Sequence, residues 1–346
     1  MFLKIRNKIE QELAGYIQDV DKLYHLSSIS SLLYKSIKEF ISRPGKRVRP
    51  TLFTIGYLGY SKKTPPQLYR SAIAIELLHD FMLVHDDIID KSDTRRGKPS
   101  MHAIFNKYLL KKKNIKFSGQ DLTIIAGDVM YAMALDAFLS VKENLANKEA
   151  AFKKLIEAAF YTGSGEFIEL LYAAENIEKI SQKEIYKIYD LKTANYTFAT
   201  PLVMGATLAG ANKQEISKLH QFGIYLGRAF QIQDDILGTF SEEKEIGKSN
   251  TTDIQEAKKT ILIWYAYNHT SAKNKKTIKT IFSGKNVNKQ DLLRIREIIS
   301  SSGALDYARN EIANLIKKSQ SMNKSLKMYP QYKKALFDFS RKTLSL

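Results

Sequence analysis

Apolar residues recur every three or four positions along almost the whole chain, which is the spacing of amphipathic α-helices. No stretch shows convincing strand alternation. The clearest helices are predicted at 73–90, 122–140 and 220–237. Further helices are predicted at 2–23, 29–42, 48–59, 67–79 (continuing into the first of these), 148–162, 184–198, 214–228, 258–269 and 304–318. Polar loops separate them without a Gly/Ser linker, so the pattern predicts a single all-α domain over residues 1–346.

The chain is strongly basic, because 54 Lys and Arg residues against 36 Asp and Glu give a formal net charge of +18. This balance favours anionic partners such as nucleic acid, an anionic membrane or a phosphorylated small molecule, although a solvated lysine-rich surface explains much of it. No cysteine is present, which excludes disulfides, thiolate metal sites and cysteine nucleophiles. With no recognisable targeting segment, we expect a cytoplasmic protein.

Three aspartates interrupt the end of the apolar run IELLHDFMLVHDDIID at 75–90. On a helix, Asp86 and Asp90 stack on one face and Asp87 flanks them, while His79 lies two turns earlier on the same stripe. Like charges at this spacing repel, and burial makes the repulsion costlier. The face therefore needs a positive partner, unless the aspartates simply form a solvated helix end.

A second helix ends in the same way, with FQIQDDILG at 230–238. Asp234 and Asp235 follow an apolar run, and Gln231 lies one turn before Asp234. Two such helices in a bundle can place two carboxylate clusters across one cavity. Because the ligands are all oxygen atoms, they favour Mg²⁺ over zinc, and the phosphate oxygens of a ligand would complete the coordination.

Basic residues lie close to both acidic clusters in the sequence. They are Lys46, Arg47 and Arg49 in RPGKRVRP, Arg95 and Arg96 after the first cluster, and Lys248 and Lys258 after the second. Arginine binds phosphate in a bidentate manner and lysine binds it as a point charge. A cavity that holds Mg²⁺ as well as several such cations must accept more negative charge than a monophosphate carries.

These motifs resemble those of a known enzyme family. In order, GKRVRP, LLHDFMLVHDDIIDKSDTRRGKPSMH, LKT, FQIQDDILG and GK…DIQEAKKT resemble the trans-isoprenyl diphosphate synthases, which include the farnesyl and geranylgeranyl diphosphate synthases. The resemblance covers about residues 40–265 and leaves a C-terminal helical part at about 270–346. It implies an isoprenoid-synthase-type helical bundle around a central cavity, a homodimer, and Mg²⁺-dependent head-to-tail condensation of isopentenyl diphosphate with an allylic diphosphate.

The resemblance also implies a role for each matched residue. The diphosphate of isopentenyl diphosphate would be held by Lys46, Arg49, His79 and Arg96. The ligands of three Mg²⁺ ions would come from Asp86, Asp87, Asp90, Asp234 and Asp235. The allylic diphosphate would be contacted by Arg95, Lys192, Thr193, Gln231, Lys248 and Lys258. The expected catalytic residues are Asp86, Asp90, Asp234 and Lys192.

Phe81 and Met82 precede the first aspartates, at positions that form the floor of the prenyl pocket in this family. One aromatic residue followed by a flexible methionine resembles the members that make C20 geranylgeranyl diphosphate. Both side chains would also suit an ordinary core, so a farnesyl or longer-chain polyprenyl product is the alternative. A peripheral membrane contact through the basic C-terminal part is a further expectation, because the products are lipids.

Two departures from the family pattern qualify the resemblance. Gly238 replaces a third aspartate in the second motif, and Glu242 is a candidate substitute from the following loop. Glu166 and Glu169 stand where Gln and Asp are common. Gly238 therefore leaves open a weakly active or non-catalytic partner subunit. A terpene cyclase fits less well, because it would have no use for His79 and its basic neighbours. A nucleic-acid-binding protein also fits less well, because paired aspartates oppose binding to a phosphate backbone.

Overall fold

The structure is a computed structural model that describes residues 1–240, 252–284 and 287–342. By its internal contacts the chain divides into two compact units, each built from two segments. The first unit comprises Met1–Leu155 and Pro201–Asn212, and the second comprises Ile156–Thr200 and Lys213–Leu346. A single domain over 1–346 stays a prediction.

The fold is all-α, as predicted, apart from one short hairpin. Its helices are α1 Phe2–Tyr24, α2 Leu26–Ile29, α3 Ser31–Ile41, α4 Val48–Leu58, α5 Leu68–Ile89, α6 Met101–Leu109, α7 Gly119–Leu139, α8 Leu145–Ala174, α9 Gln182–Tyr189, α10 Thr200–Leu208, α11 Lys213–Phe240, α12 Thr252–Gln255, α13 Ile261–Asn268, α14 Ala272–Ser283, α15 Lys289–Ser301, α16 Ala304–Ser325 and α17 Pro330–Lys342. A 3₁₀-helix spans Ile177–Lys179 and a π-helix spans Asp190–Ala199. The antiparallel strands β1 Thr94–Arg95 and β2 Lys98–Pro99 form the hairpin.

The periodicity located most long helices correctly and missed several shorter ones. Helices α2, α6 and α12 and the hairpin were not predicted, and α14, α15 and α17 were predicted only as a helical C-terminal part without bounds. The predicted helix at 184–198 ends as an α-helix at Tyr189, where the π-helix begins. The hairpin strands are two residues long, which is too short for alternation to be visible in the sequence.

The first unit is built around α5 and α7, which pack against each other along their length. The core side of α5 includes Leu77, Leu78 and Val84, all with no exposed surface. Tyr16 of α1 joins this core and donates a hydrogen bond to the Met133 carbonyl oxygen of α7 at 2.7 Å. Packing of α5 on both helices fixes the direction of its C-terminal end, which carries the first aspartate cluster.

The second unit is built around α11, which packs against α16 and the π-helix. Gly227 of α11 lies so close to the π-helix that a Cβ atom there would be 2.4 Å from the Ala194 Cα. A glycine is therefore required for this helix contact. The close contact holds the π-helix against the part of α11 that leads to the second aspartate pair.

One described helix, α7 (Gly119–Leu139), is long and apolar enough to cross a membrane by length and composition alone. Core helices of soluble proteins pass the same test. Because α7 packs along α5, its apolar composition is explained in part by burial in the first unit.

Candidate active site

The first acidic cluster lies at the C-terminal end of α5. Asp90 caps the helix, and Lys91 follows in the left-handed conformation at φ 53°, so the chain turns away at this point. Asp86 and Asp90 are partly exposed, whereas Asp87 is fully buried. The cluster therefore offers two carboxylates toward solvent and uses the third inside the protein.

The buried Asp87 forms an ion pair with Arg95 of β1. The Arg95 Nε donates to the Asp87 Oδ1 at 2.6 Å. Burial raises the pKa of Asp87 above its ordinary value, and the Arg95 guanidinium opposes this rise. We predicted Asp87 as a metal ligand and Arg95 as an allylic diphosphate contact. In the structure the two side chains form an ion pair with each other, and this pair ties the hairpin to the end of α5.

The hairpin carries Arg95 and Arg96 on a tight turn. Arg96 and Gly97 both have positive φ angles, 55° and 72°, as a two-residue hairpin turn with the native strand twist requires. Arg43, which is buried, donates to the carbonyl oxygens of Arg95 at 3.2 Å and Pro99 at 2.8 Å. Arg43 also forms an ion pair with Glu39 at 2.8 Å. Sequence reasoning missed this anchoring role, although Arg43 begins the basic stretch RPGKRVRP.

Three of the four residues predicted for isopentenyl diphosphate lie together. Burial lowers the pKa of His79 well below its ordinary value, and the guanidinium groups of Arg49 and Arg96 lower it further. His79 is therefore a neutral imidazole near pH 7, able to donate or accept a hydrogen bond beside two fixed cations. Lys46, the fourth residue, is exposed in the loop that precedes α4.

Arg47 is built into the protein beneath this basic cluster. It has no exposed side-chain surface and pairs with Glu10 of α1 and Glu76 of α5, both at 2.9 Å. It also donates to the carbonyl oxygens of Ile41 and Arg43. Arg47 thus holds the loop before α4 against two helices, and the neighbouring Arg49 side chain is positioned by that loop.

Phe81 and Met82 are both partly exposed, unlike the fully buried Leu78 and Val84 on the same helix. The Phe81 ring contacts the ring of His85, with centroids 4.7 Å apart, and the ring of Tyr131 on α7, with centroids 5.2 Å apart. Sequence reasoning missed Tyr131, because its position on a separate helix carries no local signal. The three aromatic rings form a continuous cluster one turn before Asp86.

The second acidic cluster lies near the end of α11 and has the same division of roles. Asp234 is exposed and Asp235 is buried. The Tyr189 hydroxyl donates to the Asp235 Oδ2 and accepts from the Ile261 N–H at 2.9 Å. Burial and the nearby Asp235 raise the pKa of Tyr189 well above its ordinary value, so this hydroxyl stays protonated.

Gln231 and Thr193 belong to the same hydrogen-bonded chain. The Gln231 Nε2 donates to the Asp235 Oδ1 at 2.9 Å, and the Thr193 hydroxyl donates to the Gln231 Oε1 at 2.5 Å. We predicted both residues beside the allylic diphosphate; in the structure they link the π-helix to the buried aspartate of α11. Asp235 thus accepts from the neutral donors Tyr189 and Gln231, whereas Asp87 accepts from the cationic Arg95.

Lys192 lies on the π-helix, a rare conformation that occurs mostly at functional sites. Its Nζ forms ion pairs with Glu166 at 2.6 Å and Glu169 at 2.5 Å, both on α8. These are the two glutamates that depart from the family pattern. Lys192, which was predicted to neutralise diphosphate, thus contacts two carboxylates.

The last predicted cations lie after the second cluster. The Lys258 Nζ is 2.5 Å from Glu256. Its neighbour Lys259 is buried and donates to the carbonyl oxygens of Ala173 at 2.7 Å and Ala257 at 2.8 Å, and burial lowers the pKa of Lys259 to about 8. Lys248 and Glu242 lie outside the described residues.

The described residues contain no ready-made group of three His, Asp or Glu side chains that could hold a metal ion alone. The outward carboxylates are nevertheless suitable ligands for Mg²⁺, because this ion takes oxygen ligands and is usually held by one or two carboxylates together with substrate phosphates. Asp86 and Asp90, stacked at i, i+4 at the end of α5, provide such a pair. The site fits a metal that arrives with, and is completed by, a phosphorylated substrate.

Known proteins are similar to this chain in sequence and in fold. The sequence model of the polyprenyl synthetase family matches residues 30–299, and the chain belongs to this family. It is 31% identical over 305 residues to a short chain isoprenyl diphosphate synthase of Methanocaldococcus jannaschii, covering 88% of this chain and 84% of the relative. It is 33% identical over 301 residues to a geranylgeranyl diphosphate synthase of Sulfolobus acidocaldarius, covering 86% of each.

The fold is also shared with solved structures. A geranylgeranyl pyrophosphate synthase from Corynebacterium glutamicum, crystallised with isoprenyl diphosphate and magnesium, is 25% identical and superposes with a TM-score of 0.88 over 99% of this chain and 98% of that one. The similarity confirms the predicted all-α isoprenyl synthase fold. Together with the family match and the relatives, this similarity shows that the chain is a trans-prenyltransferase, one of the short-chain prenyl diphosphate synthases.

Proposed function

We propose that this enzyme condenses isopentenyl diphosphate head-to-tail with dimethylallyl, geranyl or farnesyl diphosphate and releases geranylgeranyl diphosphate as its main product. Each condensation would lengthen the allylic chain by five carbons. The names of the relatives support the reaction class, since they include short-chain and geranylgeranyl diphosphate synthases. The C20 product is supported by the side chains at the end of α5.

One observation carries the proposal: His79, which lies beside Arg49 of α4 and Arg96 of the hairpin, is on the same stripe of α5 as the acidic cluster. His79, beside Arg49 and Arg96, is seven residues before Asp86, which corresponds to about 10 Å along a helix. Two groups suited to two different diphosphates therefore lie along α5, one that would bind directly through cations beside His79 and one that would bind through metal at Asp86. Such spacing keeps two substrates close enough for their reactive carbons to meet.

Asp86 and Asp90 on α5, and Asp234 on α11, would be ligands of Mg²⁺, and the resemblance implies three ions. Bound there, Mg²⁺ would stabilise the negative charge that develops on the departing pyrophosphate. Lys192 and Lys258 would donate to the same group, and they would exchange their present carboxylate partners for its oxygens. Asp87 and Asp235 would support the site indirectly, because each is buried and fixes a neighbouring part of its own cluster.

The basic cluster would orient the second substrate. Arg49 and Arg96 bind its diphosphate, Lys46 closes over it from the exposed loop, and the neutral His79 donates a hydrogen bond. The double bond of isopentenyl diphosphate then attacks the allylic cation formed when the C–O bond breaks. Loss of a proton to the released pyrophosphate completes the product, so no protein nucleophile is required.

Product length would be set by the aromatic cluster of Phe81, His85 and Tyr131. A prenyl chain whose diphosphate is held near Asp86 runs back along α5 toward these rings. Bulky side chains there would end its growth, and the partly exposed Met82 is flexible enough to admit a C20 chain. The alternative is a C15 product or one longer than C20.

We also propose that the active form is a homodimer. In the first unit, α7 exposes Ile124, Ile125 and Leu139, and in the second unit α8 exposes Phe160 and Phe167. Exposed apolar side chains in this number indicate a protein contact. A second copy of the chain is the partner expected from the resemblance, and light scattering of the purified protein tests it. A cytoplasmic location and a membrane contact through the basic C-terminal helices stay predictions.

The proposed reaction is tested by incubating the purified protein with Mg²⁺, labelled isopentenyl diphosphate and each of the three allylic primers, followed by chromatography. We expect a C20 diphosphate to accumulate from every primer. Accumulation of C15 or longer diphosphates would retain the reaction and overturn the product assignment. Absence of any condensation by protein that still binds Mg²⁺ and diphosphate would support the partner-subunit alternative, with Gly238 as the first position to change.

A further inference from the structure

A buried carboxyl group lies beneath the basic cluster and is not used by the mechanism above. Asp80 has no exposed surface, and neither of its carboxylate oxygens accepts a hydrogen bond from any described residue. Its closest cation is Arg96, whose Nη2 lies 3.9 Å from the Asp80 Oδ1, beyond hydrogen-bond distance. The Nη1 of Arg96 is also buried without a hydrogen bond.

Charged groups face Asp80 from each neighbouring element. Glu76 lies one turn earlier on α5, Arg47 and Arg49 come from the start of α4, and Arg96 comes from the hairpin. Arg47 already donates to Glu10 and Glu76, so its charge is largely balanced. Among the described residues, the carboxylate recorded near Arg96 is Asp80 itself, at 3.9 Å, and the hairpin turn fixes the backbone of Arg96 at φ 55°. Asp80 and an incoming diphosphate would therefore compete for Arg96.

We propose that Asp80 is a positioning residue that sets the charge of the isopentenyl diphosphate pocket: its carboxyl group stays neutral while the substrate is bound and competes with the diphosphate for Arg96 once it ionises. This inference rests on the proposed function, because it assigns Arg96 to isopentenyl diphosphate. A neutral Asp80 leaves the full charge of Arg96 for the substrate. An ionised Asp80 cancels that charge and repels the diphosphate.

The electrostatic environment favours the neutral form near pH 7. Burial, followed by the nearby Glu76, raises the pKa of Asp80 to about 8, while Arg96, Arg47 and Arg49 oppose the rise. Binding of a diphosphate adds negative charge and raises this pKa further. Substrate binding above pH 8 must therefore take up a proton from solvent. The substrate itself is fully ionised there, since the second phosphate pKa is about 6.

The first test uses wild-type enzyme and calorimetry of isopentenyl diphosphate binding at pH 8.5, in two buffers of different ionisation enthalpy. We expect uptake of about 0.5 to 1 proton per site. The KM for isopentenyl diphosphate should rise about tenfold between pH 7 and pH 9, because the binding-competent fraction falls tenfold per unit above the pKa. No proton uptake together with a constant KM would overturn the proposal, whatever happens to any variant.

The second test compares Asp80→Asn with a matched control, Asp136→Asn. In Asp80→Asn the ratio of the KM values at pH 9 and pH 7 should fall from about ten to about one, and proton uptake should disappear. Asp136, which accepts from Tyr16 at 2.8 Å, lies outside the pocket, so its variant should keep both effects. A pH-dependent KM that persists in Asp80→Asn would exclude Asp80 as its source. Absence of condensation at every pH would instead refute the proposed function.

Discussion

The ends of α5 and α11 both present one outward aspartate beside one buried aspartate, but the buried member is held differently. At the end of α5, Asp87 is paired with the cationic Arg95. At the end of α11, Asp235 accepts from the neutral donors Tyr189 and Gln231. The same DD sequence thus places its buried aspartate against a cation in one region and against a hydroxyl and an amide in the other.

This difference reflects the elements that each helix end holds in place. The α5 end must also hold a hairpin that carries the arginines, so its buried aspartate needs a cation on that hairpin. The α11 end must hold the end of α9, the π-helix and the start of α13, and the contacts are the Tyr189 hydroxyl, the Thr193 hydroxyl and the Ile261 N–H. In both regions the second aspartate builds the local structure and leaves the first for the proposed metal.

The largest effect is expected from removing an outward carboxylate. Asp86→Ala should lower kcat by ~10³-fold or more, because metal stabilisation of the leaving group contributes several kcal/mol. Steady-state kinetics with geranyl diphosphate measures this. Asp306→Ala, at an exposed aspartate of α16, is the control and should retain activity. Full activity in Asp86→Ala would remove the metal assignment from α5.

The contrast between the two buried aspartates predicts different losses of stability. Asp87→Asn leaves Arg95 without its anion and should lower the free energy of unfolding by about 2–3 kcal/mol. Asp235→Asn keeps a polar group among neutral donors and should cost about 1 kcal/mol. Urea unfolding of both variants makes the comparison. Equal losses, or a larger loss for Asp235→Asn, would contradict the distinction drawn here.

Product length should respond to the aromatic cluster on α5 and α7 and not to α11. Phe81→Ala and Tyr131→Ala should each shift the product beyond C20, because each removes a ring from the proposed floor.

Gln231→Ala should lower kcat by about tenfold through loss of one hydrogen bond to Asp235, with the product distribution unchanged. Chromatography of the products separates these outcomes, and a C20 product from both ring variants would move the floor elsewhere.

The smallest effect is expected from restoring the missing acid on α11. Gly238→Asp should reduce the Mg²⁺ concentration for half-maximal activity by a few-fold, because it adds a carboxylate one turn after Asp234. Activity titrated against Mg²⁺ gives this value. Gly238→Ala is the matched control, since it changes the helix backbone without adding charge. Identical titrations for both variants would show that the second cluster functions with one carboxylate fewer.

The parts of the site that could be predicted follow from spacing along one helix. The positions of His79, Asp86 and Asp90 on one stripe of α5 required only the helical period, and the structure agrees that they share this helix. The inward direction of Asp87 and Asp235 could not be predicted, because it depends on Arg95 and Tyr189 from other elements. Arg43, Tyr131 and Glu10 were missed for the same reason, since long-range contacts leave no periodic signal.

The central claim is that two separate diphosphate-binding groups lie along α5, and calorimetry of two variants tests it directly. Isopentenyl diphosphate binding without Mg²⁺ should survive Asp86→Ala and weaken about 10- to 100-fold in Arg96→Ala, which corresponds to ~1.5–3 kcal/mol for a charged hydrogen bond. Geranyl diphosphate binding with Mg²⁺ should be lost in Asp86→Ala and retained in Arg96→Ala. Equal weakening of both ligands by both variants would contradict two groups and leave a single diphosphate site.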